Sequence, residues 1–335
     1  MLLTSCAKAP MQESPDRLSF FALDTVITLE GMGSGAAQAL RDVQESITAM
    51  EQDLSRTRPD SIISQVNSSG GEPVTLTPQI YGLLEQAIEV STLTDGAFDM
   101  TIAPAADLWG FTKDAFRVPD EQELAKVKGK VGPQHVHLTD STVRLDEGAA
   151  LDLGGIAKGY ALEQAGGIFR SYGLSGGLAN LGGDVLAYGA NRHHQPWNIA
   201  IRDPNAKETG LPYFGVLSVS DQYILTSGGY ERYFEAGGKT YQHIIDPKTC
   251  APAESTLQSV TVITDLEDGS AVYADALATA LYIMGAEDAA DFWRDCAFPF
   301  EMVLVDASGT VYFTEGLQDC FTPNSDSGYT YRFLH

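Results

Sequence analysis

The sequence is most informative where TSGGYERYF (226–234), QHIIDPKT (242–249) and ADALATALYIMG (274–285) follow one another. Apolar residues recur at helical spacing in the third stretch, and Asp275 and Thr279 stand four residues apart there. On a helix, this spacing places a carboxylate and a hydroxyl on one face. Such oxygen ligands suit Mg²⁺, which proteins usually bind through one or two carboxylates together with substrate phosphates. The pattern therefore predicts a magnesium site and phosphate chemistry.

The composition is typical of a globular protein with an ample core. The chain has 335 residues, 44% of them hydrophobic and 20% charged, which is enough for one large domain or two closely packed ones. Its 45 acidic and 21 basic side chains give a formal charge of -24. Because such a surface repels nucleic acid, we expect no nucleic-acid partner, and an anionic ligand needs a locally neutralised pocket.

The N-terminus resembles the lipobox of bacterial lipoproteins. Leu3 lies three residues before Cys6, and a polar stretch follows at 10–15. The charged and apolar regions of a full signal peptide are largely missing from the sequence. We predict that 1–17 is a lipobox remnant with a polar linker and that 18–335 is a single domain. A lipid on Cys6 would anchor it to the bacterial membrane on the extracytoplasmic side.

The other cysteines and the apolar runs are less informative. Cys250, Cys296 and Cys320 form no CxxC pair, so a zinc or redox motif is not indicated, and at most one disulfide can form among them. Whether Cys296 and Cys320 pair stays open. No run is long and apolar enough to cross a bilayer.

Hydrophobic periodicity predicts an α+β fold, because strand runs and separate helices alternate irregularly. Thr77 and Pro78 form an N-cap and first-turn pair for one helix. The remaining predicted elements are a strand over 20–30, helices over 38–54 and 156–172, strands at 136–138 and 143–145, and strands near residues 178, 185, 199, 216, 223, 233, 243, 260, 302–305 and 311–313.

Two short motifs point to functions that their context does not support. Gly31, Gly33 and Ala36 match a dinucleotide fingerprint, but no second strand ending in an acidic residue follows. The sequence GLSGG at 173–177 matches a hydrolase nucleophile motif, with Asp221 and His243 in triad order. Its predicted order is helix, turn and strand, whereas a nucleophile elbow needs strand, turn and helix. We therefore interpret both as turns.

A glycine-rich turn opens the helix within LDLGGIAKGYALEQA (151–165). Two glycines let the backbone approach a ligand closely, and the first N–H groups of the helix can face phosphate oxygens. Lys158 adds a positive charge there. A second turn, NLGGD (180–184), lies between predicted strands, and we interpret Asp184 as a turn-forming residue.

Taken in order, DLGGIAKG, NLGGD, TSGGYER, HIIDP, SVTVI and ADALAT resemble the FAD:protein FMN transferases, the ApbE family. MEQDLSRTRPDSIISQVN (50–67) and GAFDMTIAPAADLWGF (96–111) extend the resemblance over nearly the whole chain. The resemblance implies two interlocked α/β subdomains with FAD in the crevice between them. It also implies magnesium-dependent transfer of FMN from FAD to a threonine or serine hydroxyl of a partner flavoprotein, with release of AMP. Family acceptors carry FMN-binding domains and are typically subunits of membrane redox complexes.

The resemblance also implies roles for individual residues. Asp275, Thr279 and the main-chain carbonyl of Gly155 would bind Mg²⁺. His243 is the candidate general base or acceptor-hydroxyl positioner, and Asp275 the second catalytic residue. Contacts with FAD are implied for Leu23, Thr57, Phe98, Asp99, Asp152, Lys158, His243 and Ile245.

Three positions depart from the family pattern. Leu23 begins Leu-Asp-Thr where Met-Gly-Thr is frequent, Thr57 aligns with a tyrosine that can stack on the flavin, and Cys250 replaces a glycine. These changes leave two alternatives open. The protein could release FMN and AMP to water as an FAD pyrophosphatase, or it could chiefly bind flavin outside the cytoplasm.

Overall fold

The structure is a computed structural model that describes residues 16–206, 212–267 and 269–335. The predicted lipobox and Cys6 lie outside these residues. The helices are α1 (Ala36–Leu54), α2 (Ile62–Ser68), α3 (Pro78–Leu93), α4 (Ala103–Trp109), α5 (Glu121–Lys128), α6 (Ala157–Ser171), α7 (Ala271–Met284) and α8 (Ala286–Asp295). The strands are β1 (Asp16–Ala22), β2 (Thr25–Met32), β3 (Val74–Thr75), β4 (Val136–Thr139), β5 (Thr142–Leu145), β6 (Gly176–Leu181), β7 (Asp184–Gly189), β8 (Trp197–Arg202), β9 (Tyr213–Val219), β10 (Gln222–Gly228), β11 (Tyr233–Ala236), β12 (Lys239–Gln242), β13 (Ile245–Asp246), β14 (Ala251–Pro252), β15 (Leu257–Asp265), β16 (Glu301–Asp306), β17 (Thr310–Thr314), β18 (Phe321–Pro323) and β19 (Thr330–Leu334).

A nine-stranded sheet forms the centre of the molecule, in the order β1-β2-β6-β7-β10-β15-β16-β17-β19. Its ladders are antiparallel except for the parallel pair β17 and β19. The predicted α+β class is confirmed. The central strands are apolar on both faces, because helices cover one face and the sheet β18-β9-β8 covers the other. In β10, Tyr223 and Leu225 pack in the helix-side core, whereas Ile224 packs in the core on the opposite side.

Local signals placed the first helices correctly. Helix α1 buries Leu40, Val43, Ile47, Met50 and Leu54, which is the stripe that its helical spacing predicts. The hydroxyl oxygen of Thr77 accepts a hydrogen bond from the N–H of Ile80 and caps α3, and Pro78 occupies the first turn.

The single strand predicted over 20–30 is wrong, because this segment is the hairpin of β1 and β2. Leu23 and Asp24 form its turn with φ angles of 52° and 56°. Turns of this kind favour glycine or asparagine, so the sequence gives little signal for it. A strand at His243 is also wrong, since this residue lies in a bend between β12 and β13.

The remaining elements form a smaller region beside the sheet. β3, β5 and β4 make one sheet, while the hairpins β11-β12 and β13-β14 stand separately. The two hairpins share a small core with Trp109, Phe111 and Cys250, whereas β3, β4 and β5 pack against the main core. Cys250 has φ 56° in the left-handed region, so the turn keeps the backbone that a glycine would favour. Cys250, Cys296 and Cys320 are free thiols, so no disulfide joins Cys296 to Cys320.

Candidate active site

The candidate site lies where the start of α6 packs against α7. The contact is close at Gly159, where an added Cβ would lie 2.1 Å from the carbonyl oxygen of Ala271. This proximity lets the N–H of Gly159 donate to Oδ2 of Asp275 at 2.8 Å. The glycine of the AKG sequence therefore brings the α6 N-terminus and the Asp275 carboxylate together.

Asp275 is a carboxylate held almost entirely inside the protein, with 8% of its surface exposed. Burial raises the pKa of Asp275 well above its ordinary value, and the negative charge of Asp184 adds to this effect. The ammonium of Lys158 and the N–H groups of Gly159 and Lys158 act in the opposite direction. The carboxylate thus lies where a further positive charge would stabilise its ionised form.

Lys158 lies between two carboxylates. Its Nζ is 2.5 Å from Oδ2 of Asp184, whose side chain is 3% exposed. The other oxygen of Asp184 accepts the N–H of Thr226 at 2.8 Å. Burial alone would lower the pKa of Lys158, but Asp184 and Asp275 together hold that pKa above its ordinary value. Lys158 is therefore a fixed cation at the α6 N-terminus.

Gly155, Thr279 and Phe98 adjoin one another beside Asp275. A Cβ added to Gly155 would lie 3.1 Å from Cε2 of Phe98 and 3.8 Å from Oγ1 of Thr279. Oγ1 of Thr279 also lies 3.1 Å from Oγ of Ser227. The glycine turn and helix α7 thus approach each other at the residues that the sequence assigned to the metal.

These groups fit a magnesium ion. The donors would be a carboxylate, a hydroxyl and a main-chain carbonyl, which are the hard oxygen ligands that Mg²⁺ prefers. Two buried carboxylates, Asp184 and Asp275, face the single ammonium of Lys158, so the site has room for more positive charge. Across the described residues, no three side chains of the His, Cys, Asp or Glu types gather into a metal cluster. A site with one carboxylate ligand is consistent with that finding, because substrate phosphates usually complete a Mg²⁺ shell.

His243 lies in the same electrostatic neighbourhood. Its Nδ1 donates to the carbonyl oxygen of Arg232 at 3.2 Å in the tautomer that leaves Nε2 unprotonated. Burial lowers the pKa of His243 to about 4, and the charges of Arg232 and Lys158 act in the same direction, while Asp152 opposes them. His243 is therefore neutral near pH 7, with Nε2 able to accept a proton.

Asp152 is fixed by a residue that the sequence analysis missed. Nε of Arg56 lies 3.2 Å from Oδ2 of Asp152, and Nη2 of Arg56 is 2.5 Å from Oδ1 of Asp107. The other oxygen of Asp152 accepts the N–H of Gly154 at 2.9 Å. Arg56 therefore ties the glycine turn to the end of α4.

Two other predicted FAD contacts, Leu23 and Thr57, lie in surface turns. Leu23 lies in the β1-β2 turn, which closely approaches the NLGGD turn, because a Cβ on Gly182 would lie 2.2 Å from Oγ1 of Thr25. Thr57 is exposed beside Arg56, with its hydroxyl 3.1 Å from that of Ser55.

Asp99 and Ile245 turn their side chains towards other surroundings. The carboxylate of Asp99 accepts hydrogen bonds from the N–H and hydroxyl of Thr101, and burial raises its pKa. It lines a separate cavity of about 460 Å³. The side chain of Ile245 packs in the core with Trp109. The structure does not bring these two side chains into the group around Lys158.

Three functional candidates were missed for a common reason. Asp184, Arg56 and Ser227 each contact a predicted site residue that is distant in the sequence. The sequence pattern predicts that Asp184 forms a turn, yet this residue is the buried partner of Lys158. The only sequence signals were the positions of these residues within NLGGD, DLSRTRPDS and TSGG.

Comparison with known proteins places the chain in a family. The sequence model of the ApbE family matches residues 23–302. The chain belongs to the ApbE family. One relative of this chain is a protein of Treponema pallidum, which is 34% identical over 80% of this chain and 76% of its own length. A protein of Vibrio cholerae is 31% identical over 86% of each chain. Both are named FAD:protein FMN transferase.

Solved structures support the same placement. The ApbE protein of Thermotoga maritima superposes with a TM-score of 0.84 at 31% identity, covering 92% of this chain and 99% of its own. The family resemblance and the predicted ApbE-like fold are thereby confirmed.

As for membrane insertion, none of the helices in the described parts of the chain has the length and apolar character to span a bilayer.

Proposed function

We propose that this protein is a magnesium-dependent FAD:protein FMN transferase. The observation that carries the proposal is the approach of Asp275, Thr279 and the Gly155 turn beside Lys158, in a chain of the ApbE family. The substrates are FAD and a partner flavoprotein with an FMN-binding domain, and the products are the flavinylated protein and AMP.

The reaction exchanges the phosphoanhydride bond of FAD for a phosphoester bond to the acceptor. The oxygen of a threonine or serine hydroxyl on the acceptor bonds to the FMN phosphorus, and the bond from that phosphorus to the AMP oxygen breaks. Lys158 binds pyrophosphate oxygens, whereas the N–H groups of Lys158 and Gly159 hold the carboxylate of Asp275 and are not available to the substrate. His243 accepts the proton of the acceptor hydroxyl at Nε2. Positioning and charge neutralisation supply most of the acceleration.

Asp275, Thr279 and the carbonyl oxygen of Gly155 would hold the Mg²⁺ ion. When bound, the ion supplies charge neutralisation for the pyrophosphate and the leaving AMP. Asp184 keeps Lys158 in place, and Arg56 keeps Asp152 and the glycine turn in place.

The cellular setting is part of the proposal. A lipid on Cys6 would hold the enzyme at the extracytoplasmic face of the bacterial membrane, next to membrane redox complexes whose subunits accept FMN. No nucleic-acid partner is proposed, because the formal charge of -24 opposes one.

The proposal is tested by incubating the purified chain with FAD, MgCl₂ and an FMN-binding domain of a sodium-pumping redox complex. We expect a yellow-fluorescent band on a denaturing gel and an added FMN mass on that domain. Free FMN in place of FAD should give no label, and a chelator should abolish labelling. Equal labelling from FMN would refute AMP as the leaving group.

A matched pair of variants tests the metal assignment. Asp275→Asn should lose at least about 100-fold in transfer rate, the scale expected when a key electrostatic group is removed. It should also lose Mg²⁺ binding in calorimetry with FAD present. Asp265→Asn is the control, because Asp265 lies exposed at the end of β15. Full activity of Asp275→Asn would remove the assignment.

A pyrophosphatase remains the second candidate, because exposed Thr57 offers no aromatic face to hold the flavin. Chromatography of the nucleotides separates the candidates. A transferase releases AMP with FMN bound to the acceptor, a pyrophosphatase releases AMP and free FMN without any acceptor, and a flavin-binding protein leaves FAD intact.

A further inference from the structure

Strand β12 presents a free edge. In an antiparallel pair, the N–H and C=O groups of successive residues point alternately towards the partner strand and away from it. The N–H of His243 donates to the carbonyl oxygen of Arg232 at 3.0 Å, which fixes the phase of this alternation along β12. The main-chain N–H and C=O groups of Tyr241 therefore point towards β11, whereas the same groups of Thr240 and Gln242 point away from it. Strands β11 and β12 form a sheet of only these two strands, and no main-chain partner meets the outward groups among the described residues.

A groove of about 480 Å³ runs beside this edge. One wall is β12 and the other is the segment 252–255. Trp109 and Tyr241 contribute aromatic lining, with their ring centres 5.3 Å apart. None of the residues assigned to FAD or Mg²⁺ lines the groove, so it is distinct from the site described above.

The charges of the groove largely cancel. Nζ of Lys239 on one wall lies 2.5 Å from Oε1 of Glu254 on the other, and both side chains are mostly exposed. Such a surface pair is weak, so an entering segment can displace it. Asp246 adds one further carboxylate to the lining of the groove. The groove therefore does not select its occupant by a strong net charge.

One end of the groove lies next to His243 in the chain. Gln242 lines it, and His243 is the next residue in the chain. The four residues 239–242 make an edge about 13 Å long at roughly 3.3 Å per residue. At this end the side chain of Gln242 crosses to the other wall, where its Nε2 donates to the carbonyl oxygen of Ala253 at 3.1 Å. A chain extended along the edge would displace this side-chain bond and arrive at His243, where the proposed function needs a hydroxyl.

We propose that the groove binds an extended segment of the acceptor protein as a strand added to β12. The proposal rests on the proposed function, because it assigns the partner of that reaction. The outward N–H and C=O groups of Thr240 and Gln242 are complementary to another extended main chain, which a nucleotide lacks. Alternate side chains of the segment would contact Tyr241 and Ile283, which line the groove, and main-chain bonds would place the accepting hydroxyl at His243.

Hydrogen exchange on the unmodified enzyme tests the contact. The probe is an FMN-binding domain of a sodium-pumping redox complex with its accepting threonine replaced by alanine. We expect the amides of Thr240 and Gln242 to exchange at least about tenfold more slowly with the probe bound. The amides of Tyr233 and Glu235, which point away on the opposite edge, should not change. Unchanged exchange at Thr240 and Gln242 with the probe bound would overturn the proposal.

A second copy of the enzyme is the competing occupant of this edge. Slowed exchange at Thr240 that appears at high enzyme concentration without the probe would show a pairing between copies. That result would also overturn the proposal.

A pair of proline variants tests the same edge in the reaction. Thr240→Pro removes an N–H that faces the groove, and Glu235→Pro removes one that faces away from it. Neither change removes a bond between β11 and β12. We expect Thr240→Pro to lower kcat/KM for the acceptor by about tenfold, the effect of about one hydrogen bond, without changing the Kd for FAD. Glu235→Pro should leave both unchanged.

The outcomes separate the two proposals. If the wild type flavinylates the acceptor and a folded Thr240→Pro does so equally well, the groove is not the acceptor site and the transferase stands. If the wild type labels no acceptor, the transferase and the groove fall together. Should Thr240→Pro not fold, the exchange experiment on the wild type decides alone.

Discussion

At the scale of single residues, the pair of Lys158 and Asp184 is central to the site. A lysine near a pyrophosphate must stay charged and fixed, but burial opposes the charge. Asp184 reverses this effect from a distance of 2.5 Å. The N–H of Thr226 holds the other oxygen of Asp184, so the lysine has a defined direction rather than a free rotation.

We predict that Asp184→Asn weakens FAD binding and slows transfer while the protein still folds. The amide keeps an oxygen for the N–H of Thr226 but leaves the ammonium of Lys158 without its partner. Since a quarter of the Lys158 side chain is exposed, we expect a loss of about 2 kcal/mol in stability, less than for a fully buried pair. Urea unfolding and calorimetric FAD titration measure these effects.

A double-variant cycle distinguishes positioning from general damage. In a Lys158→Met background, Asp184→Asn should have little further effect on FAD affinity, because the two residues act as one unit. Asp221→Asn is the control, since Asp221 also accepts a main-chain N–H, from Gly189, at 2.8 Å. Additive effects of the two substitutions would contradict the assignment.

His243 gives a pH dependence whose sign follows from its depressed pKa. The folded-state pKa of about 4 lies below the ordinary value of 6.5, so the unfolded chain binds more protons between these values. The contribution of His243 to the free energy of unfolding is fully present above pH 6.5, and it is lost as the pH falls towards 4. We predict that the wild type loses about 2 kcal/mol more than His243→Gln between pH 7.5 and pH 5, measured by urea unfolding. Equal losses would contradict this account.

At the scale of elements, the crossing of α6 and α7 builds the site. Gly159 allows the carbonyl of Ala271 to approach, and the same contact brings Asp275 to the N-terminus of α6. Ser270 caps α7 through the N–H of Tyr273, which fixes where that helix begins. The position of the carboxylate thus depends on helix packing as well as on its own side chain.

We predict that Gly159→Ala destabilises the protein by at least about 2 kcal/mol and removes activity, because its Cβ would clash with main-chain atoms of α7. Gly167→Ala in the same helix is the matched control, since an added Cβ there meets nothing within 4 Å. The control should raise stability by about 0.5–1 kcal/mol. Thermal unfolding of both variants checks the pair, and a harmless Gly159→Ala would refute the close crossing.

At the scale of the whole molecule, charge and anchoring act together. A protein with a formal charge of -24 is repelled by anionic lipid headgroups, so its own surface gives no stable membrane attachment. A covalent lipid would supply that attachment and keep the enzyme close to membrane-bound acceptors.

We predict that Cys6 decides where the protein resides. Expressed in a bacterium behind a complete lipoprotein signal peptide, the chain should fractionate with membranes and incorporate labelled palmitate. Cys6→Ser should move it to the soluble extracytoplasmic fraction without changing activity on FAD in detergent extract. Membrane association that survives Cys6→Ser would contradict lipid anchoring through this residue.

Much of the fold was predictable wherever neighbours in the chain carry the signal. The apolar stripe of α1, the cap of α3 and the shared face of Asp275 and Thr279 follow from helical periodicity, which is a local property. The β1-β2 hairpin was missed because Leu23 and Asp24 adopt left-handed backbone without a glycine.

The amino-acid order alone thus established the α+β class and the family resemblance, and it predicts the carboxylate and hydroxyl that would bind Mg²⁺. It could not pair Lys158 with Asp184, or Gly159 with Asp275, because those partners lie 26 and 116 residues apart. Only packing of α6 against α7 and of the NLGGD turn against β10 brings them within hydrogen-bonding distance. Burial there shifts the pKa values on which the chemistry depends, and burial is a property of the folded chain.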